Sequence, residues 1–224
     1  MPTATIADMA QPLSRVERRK QETRREILDT ALACFGERGY HATGISDIAK
    51  RVGIAQGTFY LYFQSKHDIA EQVLDDLLER LTTALAETPP EAPANLADYR
   101  AQADRIAESL TRVFSDDPRA ARFLLLQAAA IDDDMAERVL GFHDTAAGLQ
   151  SVYLQHGVDA GYFRADLDVE SAARAVNGML FAAVQYQLRD PGPQAFDRLT
   201  RAVREIIYRG LAGETPPEAT PRSS

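Results

Sequence analysis

Residues 39–66 read GYHATGISDIAKRVGIAQGTFYLYFQSK, and their apolar spacing describes two short helices, about 45–52 and 56–62, joined by a tight turn. Ile45, Ile48 and Val52 make an apolar face on the first helix. Ala49 is small where a second helix must cross closely, and Gly53, four positions later, supplies the turn. Ile54, Phe59 and Tyr62 complete the packing. A small residue and then a glycine in that frame is the geometry of a DNA-reading helix-turn-helix, although a plain helical hairpin can share it.

The polar residues sharpen the reading. In the second helix Ala55, Gln56, Gly57, Thr58, Tyr60 and Leu61 are the positions free to face outward. Gln56 can bond adenine N6 and N7 together. Thr58, Tyr60 and Tyr62 carry hydroxyls of the kind that anchor phosphates. Gly57 weakens a helix by about 1 kcal/mol relative to alanine, which calls either for close approach of DNA or for a close helix crossing. Ser65 opens a long helix to about Glu87, with Asp68 as its capping-box partner. Lys66 then stands where the helix dipole disfavours a cation, a penalty that a docked phosphate would offset.

Before this stretch a helical pattern begins near Val16, with Ile27, Ala31, Cys34 and Phe35 at 3–4 spacing. It stops at Gly39, expected as a left-handed C-cap after Arg38. The segment TPPEAPAN (88–95) interrupts the chain. Beyond it the spacing predicts helices at about 95–114, 118–131, 134–158, 168–189 and 194–212. Tyr162-Phe163 is the one short candidate strand. The expected fold is all-α: an N-terminal three-helix DNA-binding domain (17–66) and a larger helical ligand-binding and dimerisation domain (67–212). A flexible arm (1–16) and a Pro- and Ser-rich disordered tail (213–224) flank them.

Charge supports the division. The chain of 224 residues carries a net −8. Residues 1–67 hold ten Lys+Arg against seven Asp+Glu, and residues 68–224 hold 15 against 26. A basic end on an acidic body suits docking on a polyanion.

Residues 20–75 resemble the DNA-binding signature of the TetR/AcrR family. The resemblance rests on Gly39-Tyr40, Thr43, Ile48-Ala49, Gly53-Ile54, Gly57-Thr58-Phe59-Tyr60 and Tyr62-Phe63-Gln64-Ser65-Lys66 in order, with Ile27, Ala31 and Phe35 in the preceding helix. It implies a homodimer that holds operator DNA through Thr43, Ser46, Ala55, Gln56, Gly57, Thr58, Tyr60, Tyr62 and Lys66. Two positions depart from the family pattern. Gly44 stands where a capping hydroxyl is common and Ala55 where a serine is common, which puts two phosphate contacts in doubt.

For the C-terminal part the resemblance implies ligand binding and dimerisation through the last two helices. Those helices carry Val176, Leu180, Leu199, Val203, Ile206 and Ile207 in apolar stripes, the expected dimer interface. Polar groups set among apolar ones mark the effector candidates: Phe123, Gln127, Phe142, His143, Ala146, Gln150, Tyr153, Asn177 and Phe181. The mix favours a small, largely apolar effector.

Other chemistry finds little support. The four histidines lack metal-ligand spacing, Cys34 is the lone cysteine, and no glycine loop cradles a phosphate. The expectation is no metal, no cofactor, no catalysis, no membrane partner and a cytoplasmic location. The partners expected are double-stranded operator DNA, a second copy of the chain and a small effector. The competing reading is a small-molecule sensor or carrier in which the helix-turn-helix is only scaffold.

Overall fold

A computed structural model describes residues 14–86, 93–189 and 193–212. All regular structure among them is helical. The helices are α1 (Arg15–Arg38), α2 (Ile45–Val52), α3 (Gln56–Phe59), α4 (Lys66–Ala86), α5 (Leu96–Asp116), α6 (Pro118–Leu126), α7 (Asp133–Asp159), α8 (Val169–Arg189) and α9 (Pro193–Leu211). The chain divides into two compact units, one up to Val73 and one from Leu74 onward, with the division inside α4. Residues 1–13 of the expected arm, most of the 88–95 interruption and the tail from 213 lie outside the described residues.

In the first unit α1 starts on a complete capping box. The Glu17 N–H donates to Ser14 Oγ (3.2 Å) and the Ser14 N–H to Glu17 Oε2 (2.9 Å). Its second half buries Ile27, Leu28, Ala31, Leu32 and Phe35, and α2 and α3 add Ile48, Ala49 and Phe59. Removing each large side chain from water is worth about 1.5–3 kcal/mol, which is what fixes so short a helix as α3. Gly53 ends α2 in the left-handed conformation (φ 84°, ψ 26°), and the Gly53 and Ile54 N–H groups both return to the Ala49 carbonyl. Gly39 also has positive φ (93°), but its ψ of 154° lies outside the left-handed helical basin expected of it. Only glycine visits that region readily. The second helix of the motif is shorter than its pattern: after Phe59 the backbone continues as tight turns through Tyr62.

In the second unit a core of Tyr99, Tyr153, Leu154, Phe163, Ala173, Val176, Val203, Ile207 and Leu211 joins α5, α7, α8 and α9. The helix expected at 118–131 breaks at Gln127 (φ −130°) into a 3-10 turn, Ala128–Ala130. Tyr162 and Phe163 are not a strand. Their N–H groups both donate to the Gly157 carbonyl, and Gly161 (φ 79°) turns the chain. Arg164 closes the corner on α9, with its N–H on the Leu211 carbonyl and Nε on that of Gly210.

Of the expected dimer stripe, Val176, Val203 and Ile207 are buried in this intrachain core, and Leu199 packs against it. Leu180 and Ile206 (61% exposed) face outward.

Candidate nucleic-acid interface

α2 and α3 present the outward surface that the sequence calls for. Ser46, Ala55, Gln56, Gly57 and Tyr60 are exposed, and Thr58 and Tyr62 are half-buried. A Cβ built on Gly57 meets nothing within 4 Å. Close helix crossing therefore does not explain this glycine. Beside it Leu61 stands 75% exposed, an apolar side chain able to meet a thymine methyl. Its place in the outward turn directly after α3 is the signal that could have put it in the candidate set.

Thr43 sits elsewhere. It is 1% exposed, and its hydroxyl lies 2.8 Å from the Gly39 carbonyl and 3.2 Å from that of Cys34. It thereby ties the segment after α1 back to the end of that helix. Gly44, without a side chain to cap α2, donates its N–H to Asp47 Oδ2 at 2.9 Å. That bond, with Arg38 nearby, holds the Asp47 carboxyl below the usual range.

Lys66 begins α4. Its Nζ donates to the Tyr40 carbonyl (3.0 Å) and lies 4.2 Å from the Tyr40 ring centroid. The lysine thus ties the 39–44 segment to α4, worth about 0.5–2 kcal/mol for the cation–π contact. Ser65 caps α4 by accepting the Asp68 N–H (3.0 Å). The Asp68 carboxylate reaches one residue further back than a capping box requires, to the Gln64 N–H (2.6 Å). An ion pair that the sequence pattern did not reveal clamps α2 to α1: Arg51 holds Glu37 through both guanidinium nitrogens, at 2.6 and 3.0 Å. These contacts make a small rigid head carrying Gln56 and Tyr60 on its outer face.

Residues 27–73 match the family model for bacterial regulatory proteins, tetR family. That match makes the first unit a tetR-type DNA-binding domain. The chain is similar to the HTH-type transcriptional repressor KstR2 of Rhodococcus jostii, 29% identical over 86% of this chain and 93% of that one. Among solved structures it is similar to the ketosteroid transcriptional regulator KstR2 of Mycobacterium tuberculosis (TM-score 0.66, 23% identity, 85% of this chain and 95% of the other). It is also similar to FadR of Bacillus subtilis in complex with stearoyl-CoA (TM-score 0.69, 21% identity, 84% and 98%).

The effector candidates fall into two groups. His143 on α7 sets its ring edge-on to Phe181 of α8 at 4.3 Å, and Asn177 Nδ2 donates to the His143 carbonyl at 3.2 Å. Burial lowers the His143 pKa, opposed by Asp144. Phe142 adjoins this pair, Ala146 lies one turn along α7, and buried Phe123 and Gln127 lie along α6 and at its end. Gln127 Oε1 is buried without a hydrogen-bond partner among the described residues. Gln185 Nε2 donates to the Leu125 carbonyl, tying α8 to α6. Gln150 and Tyr153 belong to the other group. Gln150 Nε2 donates to the Tyr99 hydroxyl (2.9 Å), and Tyr153 packs in the aromatic core.

A groove of about 720 Å³ runs between α7 and the start of α8, lined by Ser151, Val152, Gln155, His156 and Arg174 among others, with none of the effector candidates. It is an open surface groove, whereas small-molecule sites enclose most of their ligand. Among the described residues no three His, Cys, Asp or Glu side chains cluster so as to hold a metal ion, and no helix is long and apolar enough to cross a membrane.

Proposed function

We propose that the chain represses transcription by binding a palindromic operator as a homodimer and that a small, largely apolar effector releases it. The observation that carries this reading is the exposed α3 surface. Gln56, Thr58 and Tyr60 offer hydrogen-bonding groups around a glycine with open space above it, where a DNA backbone can approach. Repression is supported by the name of the R. jostii relative, a transcriptional repressor.

The dimer is supported by outward apolar residues on the last two helices. Leu180 and Tyr186 on α8 and Ile206 on α9 are exposed, next to exposed small residues, Ala175, Gly178, Ala182 and Ala202. Small residues let two helix pairs approach closely and large ones fill the seam. For the effector, the reading is supported by composition: Phe142 and Phe181 flank His143, Phe123 is buried, and Gln127 Oε1 is buried without a hydrogen-bond partner among the described residues, a mix suited to an apolar body held by one or two polar handles.

Release follows from linkage. The effector must bind the DNA-incompetent form more tightly, and DNA then weakens effector binding by the same factor. Helix α4 begins at Lys66 in the first unit and ends in the second, so a tilt at one end is carried to the other. The direct test is a gel shift with DNA from beside the gene. A discrete shifted band that survives excess non-specific competitor supports the reading. Its absence favours a sensor whose helix-turn-helix is only scaffold.

A further inference from the structure

Ahead of the segment that matches the family, the first two turns of α1 pack on nothing described. The first buried side chain is Ile27, and even Val16 is 78% exposed. Arg15, Arg18 and Arg19 share one face of these turns, with Glu22 one turn on. None of the three has an ion-pair or hydrogen-bond partner for its side chain among the described residues. By contrast, Arg24 hydrogen-bonds Gln72 and lies 5.3 Å over the Phe63 ring, and Arg25 pairs with Asp29. Glu17, the acidic residue of the first turn, is committed to the Ser14 cap.

This placement is unfavourable for the free chain on two counts. Like charges three and four residues apart repel by about 0.2–0.5 kcal/mol per pair. Cations in the first turns of a helix also oppose the positive end of its dipole. A capping box and covalent continuity with the buried half nevertheless keep the segment helical. The penalty turns into a gain beside a polyanion. Duplex DNA carries one negative charge per roughly 1.7 Å of axis, and Arg15 to Arg19 span about 6 Å of helix. Three guanidiniums over that distance suit that charge density. The same helix is held at Arg24 against Phe63, whose ring packs 5.6 Å from Phe59 of α3, so the basic turns extend from the reading head itself.

We infer that the first two turns of α1 form a second DNA contact, in which Arg15, Arg18 and Arg19 grip backbone phosphates flanking the bases read by α3. This contact rests on the DNA-binding reading above and adds affinity without sequence preference.

The test uses the full chain and two labelled duplexes from the DNA beside its gene, one trimmed to the protected site and one extended by a helical turn on each side. Arg15, Arg18 and Arg19 are replaced together by Gln, and in a second variant by Lys. On the extended duplex the Gln variant should bind at least tenfold more weakly at about 0.15 M salt. Its log–log salt slope should be flatter by about 2.7, which is 0.9 per phosphate. The Lys variant should keep the wild-type slope, and the trimmed duplex should bind wild type and Gln variant nearly alike. Neither variant should unfold at a lower temperature than wild type, since the replaced side chains are exposed and the Gln variant removes their mutual repulsion. An unchanged slope for the Gln variant, with wild type binding the site normally, would overturn the flanking contact alone. Wild type that binds neither duplex would overturn both it and the reading beneath it.

Discussion

Gln56 stands exposed at the first position of α3, with the open face of Gly57 beside it. A side-chain amide there matches the paired donor and acceptor of adenine. Gln56→Ala should therefore relax preference at one base pair per half-site, at about 1–3 kcal/mol, leaving affinity for random DNA unchanged in competition binding. Lys66 should behave differently. Its ammonium already serves the Tyr40 carbonyl and ring, so Lys66→Ala loosens the 39–44 segment besides removing a charge. The expected outcome is weaker binding to every sequence together with a stability loss of about 1–3 kcal/mol, read by chemical denaturation. Unaltered stability would show that the Tyr40 contact contributes nothing and that the lysine acts on DNA alone. Thr43 follows the same logic: a hydroxyl that family resemblance assigns to the DNA surface is spent on the carbonyls of Cys34 and Gly39.

At the scale of elements, the helices and most of their ends were readable because caps are local chemistry. Ser65, Asp117-Pro118 and Asp132 each accept or free the amides that start a helix, and the structure begins helices there. What was not readable depended on partners far along the chain. The break at Gln127 has no glycine or proline to announce it. The turn at Tyr162-Phe163 is dictated by Gly157: a Cβ built there would lie 2.1 Å from Cδ2 of buried Phe163. The stripe on α9 could be seen, but which of its residues turn inward could not. Gly157→Ala should thus cost about 1–3 kcal/mol through overpacking and lower the melting temperature by several degrees. Gly148, on the same helix with nothing within 4 Å of its built Cβ, is the control. Gly148→Ala should stabilise by up to about 1 kcal/mol. Equal effects at the two glycines would contradict the packing assigned to the corner.

For the whole molecule, the division of the α9 stripe separates folding from assembly. Ile206→Asp should leave each chain folded, halve the mass in light scattering from twice 24.7 kDa to the single-chain value, and abolish tight operator binding with it. Val203→Asp places a charge in the intrachain core and should instead unfold the second unit, seen as lost thermal cooperativity. A variant at Ile206 that stays dimeric would move the interface off α9. The central claim is that two copies of this head read a symmetric site. Footprinting of the purified chain on the DNA beside its gene tests it most directly. The expected result is two protected half-sites related by a dyad, their centres about 34–36 Å or a multiple of that apart, both lost together in Ile206→Asp. Protection of a single unsymmetrical site by a monomer, or none at concentrations where the dimer forms, would contradict it.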